Sequence, residues 1–252
     1  MKVLCVVQAR MGSERLPGKV IKPIMDRPMI LYTLNRLNKS KYIDEIILAT
    51  SIENKEQPLV DIVEKEGFKI FRGEENNVLK RYKDTVDKFG GDIIIRVTGD
   101  CPLIDPTIVD NVITYFKMNN FDYIRLDVPN SFIRGFDVEI FWKESLYKAY
   151  NIVNSLEDNY EEKGFTKENY FEHVTLYMYN HREEFKVGYV KGEDFYNKEY
   201  RLCVDTKEDF ALINNIYEHF KNPYITSKEV VEYLDKNPSI ANINISIQQR
   251  LS

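Results

Sequence analysis

Three cysteines and three histidines in 252 residues leave little material for thiol or imidazole chemistry. Cys5, Cys101 and Cys203 are far apart and form no C-x-x-C pair; for Cys5 and Cys203, which sit in apolar runs, buried, reduced thiols in a cytoplasmic protein are the expectation. His173, His181 and His219 are not spaced for coordination, which argues against a zinc site. No run approaches the roughly 20 apolar residues of a membrane span. The opening run from Met1 to Val7 is too short for a signal peptide and leads at once into a charged loop. No long basic face exists in a chain of net charge -5, so no nucleic-acid partner is expected. Internal repeats and low-complexity linkers are missing too, which disfavours two independent domains.

What the chain does contain is alternation. Val3 to Val7 reads as a strand, and Ile30, Leu34 and Leu37 mark a helix. Ile46 to Ala49 reads as a strand; Leu59, Ile62 and Val63 mark a helix stopped before Gly67. Lys69 to Phe71 and Ile93 to Val97 are two more strands, with helices after each. Such alternation predicts an α/β fold whose mainly parallel sheet is covered on both faces. Ligands of such sheets bind beyond the carboxyl ends of the strands. The second half is less regular. Gly135 to Phe141, Phe185 to Val190 and Tyr200 to Val204 read as strands, Asn169 to Tyr179 as a helix, and Ser155 to Lys167 as a polar excursion. Phe210, Ile213, Ile216, Tyr217 and Phe220 define a strong amphipathic helix. The expected organisation is a single unit over 1–252: a regular half (1–120), a less regular lobe (121–204), and C-terminal helices with a tail (205–252).

Directly after the first strand comes Gln8-Ala9-Arg10-Met11-Gly12-Ser13-Glu14-Arg15-Leu16-Pro17-Gly18-Lys19. Its cations and free backbone N–H groups suit a polyphosphate; a solvated basic connection is the plainer alternative. It is not a P-loop: five residues separate Gly12 from Gly18, and Val20 stands where a Ser or Thr would bind magnesium. G-x-G-x-x-G is also absent.

The run Ala9-Arg10-x-x-Ser13-x-Arg15-Leu16-Pro17-Gly18-Lys19 resembles the signature of the cytidylyltransferases of surface-polysaccharide synthesis. The spore-coat polysaccharide (SpsF-type) group is the nearest resemblance, and the 3-deoxy-manno-octulosonate and acylneuraminate enzymes are similar. Gln8 departs from the Pro usual in the latter two, which bears on the acceptor more than on the nucleotide. The resemblance implies a Rossmann-like sheet of the nucleotide-diphospho-sugar transferase type with a small β-rich lobe. It also implies a nucleotide-binding half (1–120) whose loop closes over the phosphates, CTP as substrate, a magnesium (or manganese) ion, and a lobe (121–204) that binds the acceptor and pairs a homodimer.

Asp100 ends the run Arg96-Val97-Thr98-Gly99-Asp100 and Asp205 ends Arg201-Leu202-Cys203-Val204-Asp205. Each reads two ways: a turn-capping carboxylate, or a ligand of a divalent ion. Asp205 with Glu208 three residues on also fits a helix N-cap. The resemblance favours the metal pair, and implies Arg15 and Lys19 as partners of the leaving pyrophosphate. Ala9, Arg10, Gly12, Ser13, Thr50, Ser51, Arg81 and Thr98 are the further nucleotide-binding candidates; Val78 and Leu79 fit core packing better. Arg134, Asp137, Glu139 and His173 are candidates for the acceptor pocket, against a solvated strand face for the two acids. A glycosyltransferase would carry an Asp-x-Asp motif, which is absent; a non-catalytic nucleotide-binding subunit would need no metal. The acceptor, an acidic-sugar hydroxyl or a sugar phosphate, is open from the sequence, and with it the choice between a CMP-sugar and an NDP-sugar product.

Overall fold

The computed structural model describes residues 1–249. Strands are β1 (Val3–Gln8), β2 (Pro23–Ile24), β3 (Arg27–Pro28), β4 (Glu45–Ser51), β5 (Lys69–Gly73), β6 (Ile93–Thr98), β7 (Tyr123–Leu126), β8 (Glu139–Trp142), β9 (Glu161–Glu162), β10 (Phe165–Thr166) and β11 (Val187–Val190). Helices are α1 (Met29–Leu37), α2 (Gln57–Lys65), α3 (Val78–Phe89), α4 (Pro106–Met118), α5 (Lys143–Ser155), α6 (Lys167–Glu172), α7 (Leu176–Asn180), α8 (Lys207–Phe220), α9 (Ser227–Lys236) and α10 (Pro238–Ala241).

One seven-stranded sheet, ordered β11-β7-β8-β6-β1-β4-β5, collects strands from both halves of the chain. Neighbours pair in parallel except at β8, which runs against β6 and β7. Successive side chains of β1 point to opposite faces. Val3, Cys5 and Val7 join one core, and Leu4 and Val6 join the other. That double burial is why β1 reads as an unbroken apolar run.

From β1 the chain builds outward to β4 and β5 on one side, then crosses to place β6 on the other. The order therefore reverses at β1, which opens a crevice beyond the ends of β1 and β6. Gly99 lets the two ends approach: a Cβ there would lie 2.7 Å from the Ala9 Cβ and 2.9 Å from Ile30 Cδ1.

The second half departs from the expected elements in several places, and β7 is a strand beyond those expected from the sequence. Tyr200 to Val204 is not a strand; it is extended between two loops, with Leu202 N–H donating to Arg134 O and Val204 N–H to Asp100 O, both at 2.8 Å. Its backbone donors are met by separate segments, so among the described residues no ladder forms beyond the Arg134–Arg201 bridge. Gly135 to Phe141 is strand only from Glu139, because Gly135 has φ +109° and turns the chain. Asn169 to Tyr179 is two short helices, α6 and α7, broken at His173. Within the polar excursion, β9 and β10 form a small antiparallel hairpin, turned by Lys163 and Gly164 at positive φ.

Candidate active site

A cleft of about 390 Å³ opens at the switch point. Gln8 and Ala9 reach it from the end of β1, Thr98, Gly99 and Asp100 from β6, and Arg10, Gly12, Ser13, Arg15 and Lys19 from the basic loop. Val78 and Arg81 of α3, His173 and Asp205 complete much of the wall.

The loop folds over the Met11 carbonyl, which accepts from Ser13 N–H (3.0 Å) and Gly18 N–H (3.1 Å). Gly18 occupies the left-handed region at φ 67°, a conformation glycine adopts without a Cβ penalty. The turn carries Lys19 inward. Its ammonium is buried and donates to Asp100 Oδ2 at 3.0 Å, Asp205 Oδ1 at 2.9 Å and Val204 O at 2.7 Å. All three of its protons are used. Arg15 reaches the other oxygen of Asp205 at 2.9 Å, and Arg201 pairs with that same oxygen. Arg10 is more exposed, 4.0 Å from Glu75 and 3.8 Å from Glu172.

Two carboxylates from distant parts of the sequence thus share one cation inside the cleft. Burial by itself would lower the Lys19 pKa, but the charges of Asp100 and Asp205 outweigh it and leave the ammonium raised. Burial would likewise raise Asp100; Lys19 and the Thr98 hydroxyl outweigh it and hold the carboxyl below its usual range. Burial lowers His173, only partly offset by Glu172, so the imidazole is neutral near pH 7.

The helix cap falls one residue later than expected. Thr206, not Asp205, caps α8, in a reciprocal capping box with Asp209 rather than with Glu208. Neither oxygen of Asp205 is therefore spent on the cap: Oδ1 meets Lys19, and Oδ2 meets Arg15 and Arg201. An oxygen-donor pair already sharing a positive charge fits a magnesium or manganese ion, which takes one or two protein carboxylates beside phosphate and water oxygens. Among the described residues no group of three His, Cys, Asp or Glu side chains could hold a metal alone.

The remaining candidates lie further out. Thr50 and Ser51 are fully buried and stand behind the cleft wall. Thr50 Oγ1 donates to Glu56 Oε2 (3.0 Å), which also accepts Met11 N–H (2.9 Å). Glu56, unnoticed in the sequence, therefore anchors the basic loop from beneath. Arg81 is buried beside the cleft and donates to Glu74 O at 2.6 Å, while its Nε has no partner among the described residues. Leu79 is core, as its position on the inner face of α3 predicts.

On the acceptor side, Glu139 accepts from Arg96 (2.9 Å) and Thr175 (2.7 Å), and Arg96 in turn donates to Gln8 Oε1 (3.1 Å) on the cleft wall. Asp137 is not on a strand with Glu139: it accepts Gly135 N–H at 2.6 Å and lies 3.8 Å from Arg134. Burial raises the Asp137 pKa, with Arg134 opposing and the charges of Glu139 and Asp100 adding. Gln8, Arg96 and Thr175 carried no sequence signal of their own; cross-strand register brings Arg96 to Glu139.

A family model described as Cytidylyltransferase matches residues 4–237. The chain belongs to that family. Among its relatives is the spore coat polysaccharide biosynthesis protein SpsF of Bacillus subtilis, 32% identical over 247 residues, covering 95% of this chain and 96% of SpsF. The 3-deoxy-manno-octulosonate cytidylyltransferase of Thermodesulfovibrio yellowstonii is 29% identical over 200 residues, covering 72% of this chain and 76% of that protein. A solved cytidylyltransferase structure from Leptospira borgpetersenii serovar Hardjo-bovis superposes with a TM-score of 0.86 at 32% identity, over 100% of this chain and 99% of that one. The SpsF-type resemblance read from the basic loop thus extends along nearly the whole cytidylyltransferase chain. No helix among the described residues is long and apolar enough to cross a membrane.

Proposed function

We propose that this cytidylyltransferase uses CTP to make a CMP-activated acidic sugar for a surface glycan, with release of pyrophosphate. The observation that carries the reading is Lys19 held between Asp100 and Asp205 in a cleft that the basic loop also lines with Arg10 and Arg15. Asp100 and Asp205 would hold magnesium or manganese, which when bound offsets charge on the triphosphate. Arg15 and Lys19 exchange their carboxylate partners for phosphate oxygens and stabilise the leaving pyrophosphate. Arg10, Ser13 and the loop backbone orient the phosphates, with Ala9, Gly12, Thr98 and Arg81 lining the nucleotide's path and Thr50 and Ser51 supporting it from behind.

An acceptor hydroxyl oxygen bonds to the α-phosphorus, the bond from that phosphorus to the pyrophosphate oxygen breaks, and the hydroxyl proton passes to Asp137. A carboxyl raised by burial suits that proton transfer. Arg134 is already paired with Asp137, which favours a hydroxyl over a sugar phosphate as nucleophile. Glu139 and His173 face the acceptor's polar groups. Positioning and charge neutralisation supply most of the rate. In the same reading the enzyme works in the cytoplasm, as a homodimer paired through the 121–204 lobe.

The deciding experiment incubates the protein with each of four nucleoside triphosphates and a panel of 2-keto-3-deoxy acid sugars. Pyrophosphate release with CTP, abolished by EDTA, and a CMP-sugar in the mass spectrum are expected. A CDP-sugar from a sugar phosphate, or no release with any nucleotide, overturns the proposal.

A further inference from the structure

The segment after α10 lies beyond the residues matched by the family model, yet it reaches the residues that stand behind Asp205. A short 3₁₀ turn, Asn242–Asn244, packs on α8 with Asn244 buried. The Asn244 amide donates to Arg201 O at 2.9 Å and to Asp209 Oδ1 at 2.7 Å. Asp209 is fully buried, and besides that amide it accepts Arg201 Nε (3.1 Å) on Oδ1 and the backbone N–H groups of Asp205 (2.9 Å) and Thr206 (3.0 Å) on Oδ2. Arg201 uses its remaining nitrogens on Asp205 Oδ2 and on Gln249 of the same tail.

Two of the handles on Asp205 therefore pass through this cluster, beside Arg15 on the same carboxylate oxygen as Arg201. Asp209 fixes its backbone N–H, and Arg201 fixes one carboxylate oxygen. The other oxygen is left for Lys19. We propose that Asn244 is a positioning residue: by locking Asp209 and Arg201 from the C-terminal tail, it aims the Asp205 carboxylate at the Lys19 ammonium and at the ion that the reaction requires. The role of Asp205 rests on the function proposed above; the aiming itself does not. Removing Asn244 leaves a buried carboxylate short of a donor and lets Arg201 swing, and groups that support a metal-binding side chain in this way typically alter affinity 10–100-fold.

The test is the full-length Asn244→Ala protein with three readouts. Acylation of Lys19, followed by peptide mass spectrometry, should rise about tenfold because the ammonium loses a well-placed partner, while Lys117 on α4 stays unchanged. Amide exchange at Asp205 and Thr206 should quicken while that of β1 does not. Manganese affinity, read by electron paramagnetic resonance, should fall about tenfold. Asn244→Ser, which keeps a short donor, takes its place if alanine does not fold. A folded variant with wild-type Lys19 acylation and wild-type exchange at Asp205 refutes the positioning role. Altered Lys19 acylation with unchanged pyrophosphate release would leave the positioning role standing and strike instead at the catalytic role of Asp205.

Discussion

Replacing Lys19 with Met removes the one charge that Asp100 and Asp205 share, and the geometry around it fixes the size and sign of the effect. Stripping one partner from a buried ion pair costs about 3–5 kcal/mol. Here Asp205 keeps Arg15 and Arg201, and the side chains of Asp100 and Asp205 remain 23% and 16% exposed, so a smaller loss of about 1–3 kcal/mol is expected. At roughly 2–4 °C per kcal/mol for a chain of this size, Tm should fall by about 2–12 °C. Turnover should fall about 10²–10³-fold, the typical loss for one charge-stabilising donor. Divalent binding without nucleotide should change in the opposite direction. The ammonium now occupies the space between the carboxylates, so Lys19→Met should bind manganese more tightly than the wild type, by about tenfold at an effective cost near 1.4 kcal/mol. Thermal shift with and without magnesium reads both effects at once. A ligand at 100 times its Kd stabilises by about 2.7 kcal/mol, so magnesium should restore the variant's Tm while moving the wild type little. A variant that has lost turnover but binds the ion no better than wild type would refute the idea that Lys19 stands in the ion's place.

Arg15→Ala removes a single partner of Asp205 near the leaving group and should lower turnover about a hundredfold with Tm nearly unchanged; steady-state pyrophosphate release measures it. Asp100 is held below its ordinary value of 3.8, so the stability it contributes is present above that pH and is lost as pH falls through the lowered value. Asp100→Asn should therefore flatten the acid limb of a Tm-against-pH curve. Lys19 is raised above 10.5, so its contribution is full below that pH and disappears only in stronger alkali; Lys19→Met should flatten that limb instead. Gly99→Ala would press a methyl group against Ala9 and Ile30 at 2.7 and 2.9 Å, costing about 1–3 kcal/mol in urea unfolding and lowering turnover by spreading β1 from β6.

Much of the first half was legible because its elements are self-declaring. β1, β4 and β6 are apolar runs too short for helices, the helices between them repeat at helical spacing, and the cationic loop follows a strand end where such sheets bind ligands. The second half was harder to read. Tyr200 to Val204 has a strand's composition, yet its donors are met by Arg134 and Asp100 from two separate loops. Asp137 and Glu139 are two apart, as on one strand face, but Gly135 turns the chain just before them and ties up Asp137 through its own N–H.

Sequence alone determined the parallel sheet and the phosphate-suited loop, because each depends on neighbours within a dozen residues, and the resemblance of their runs to the family singled out the two aspartates. Only the folded chain decided that one ammonium would bridge carboxylates 105 positions apart in the numbering, Asp100 to Asp205. The helix cap passing to Thr206 and the tail clamping Asp209 were likewise settled by the fold. Those outcomes turn on which buried charge finds which partner once water is excluded. That competition is resolved by three-dimensional proximity, and no local pattern encodes it.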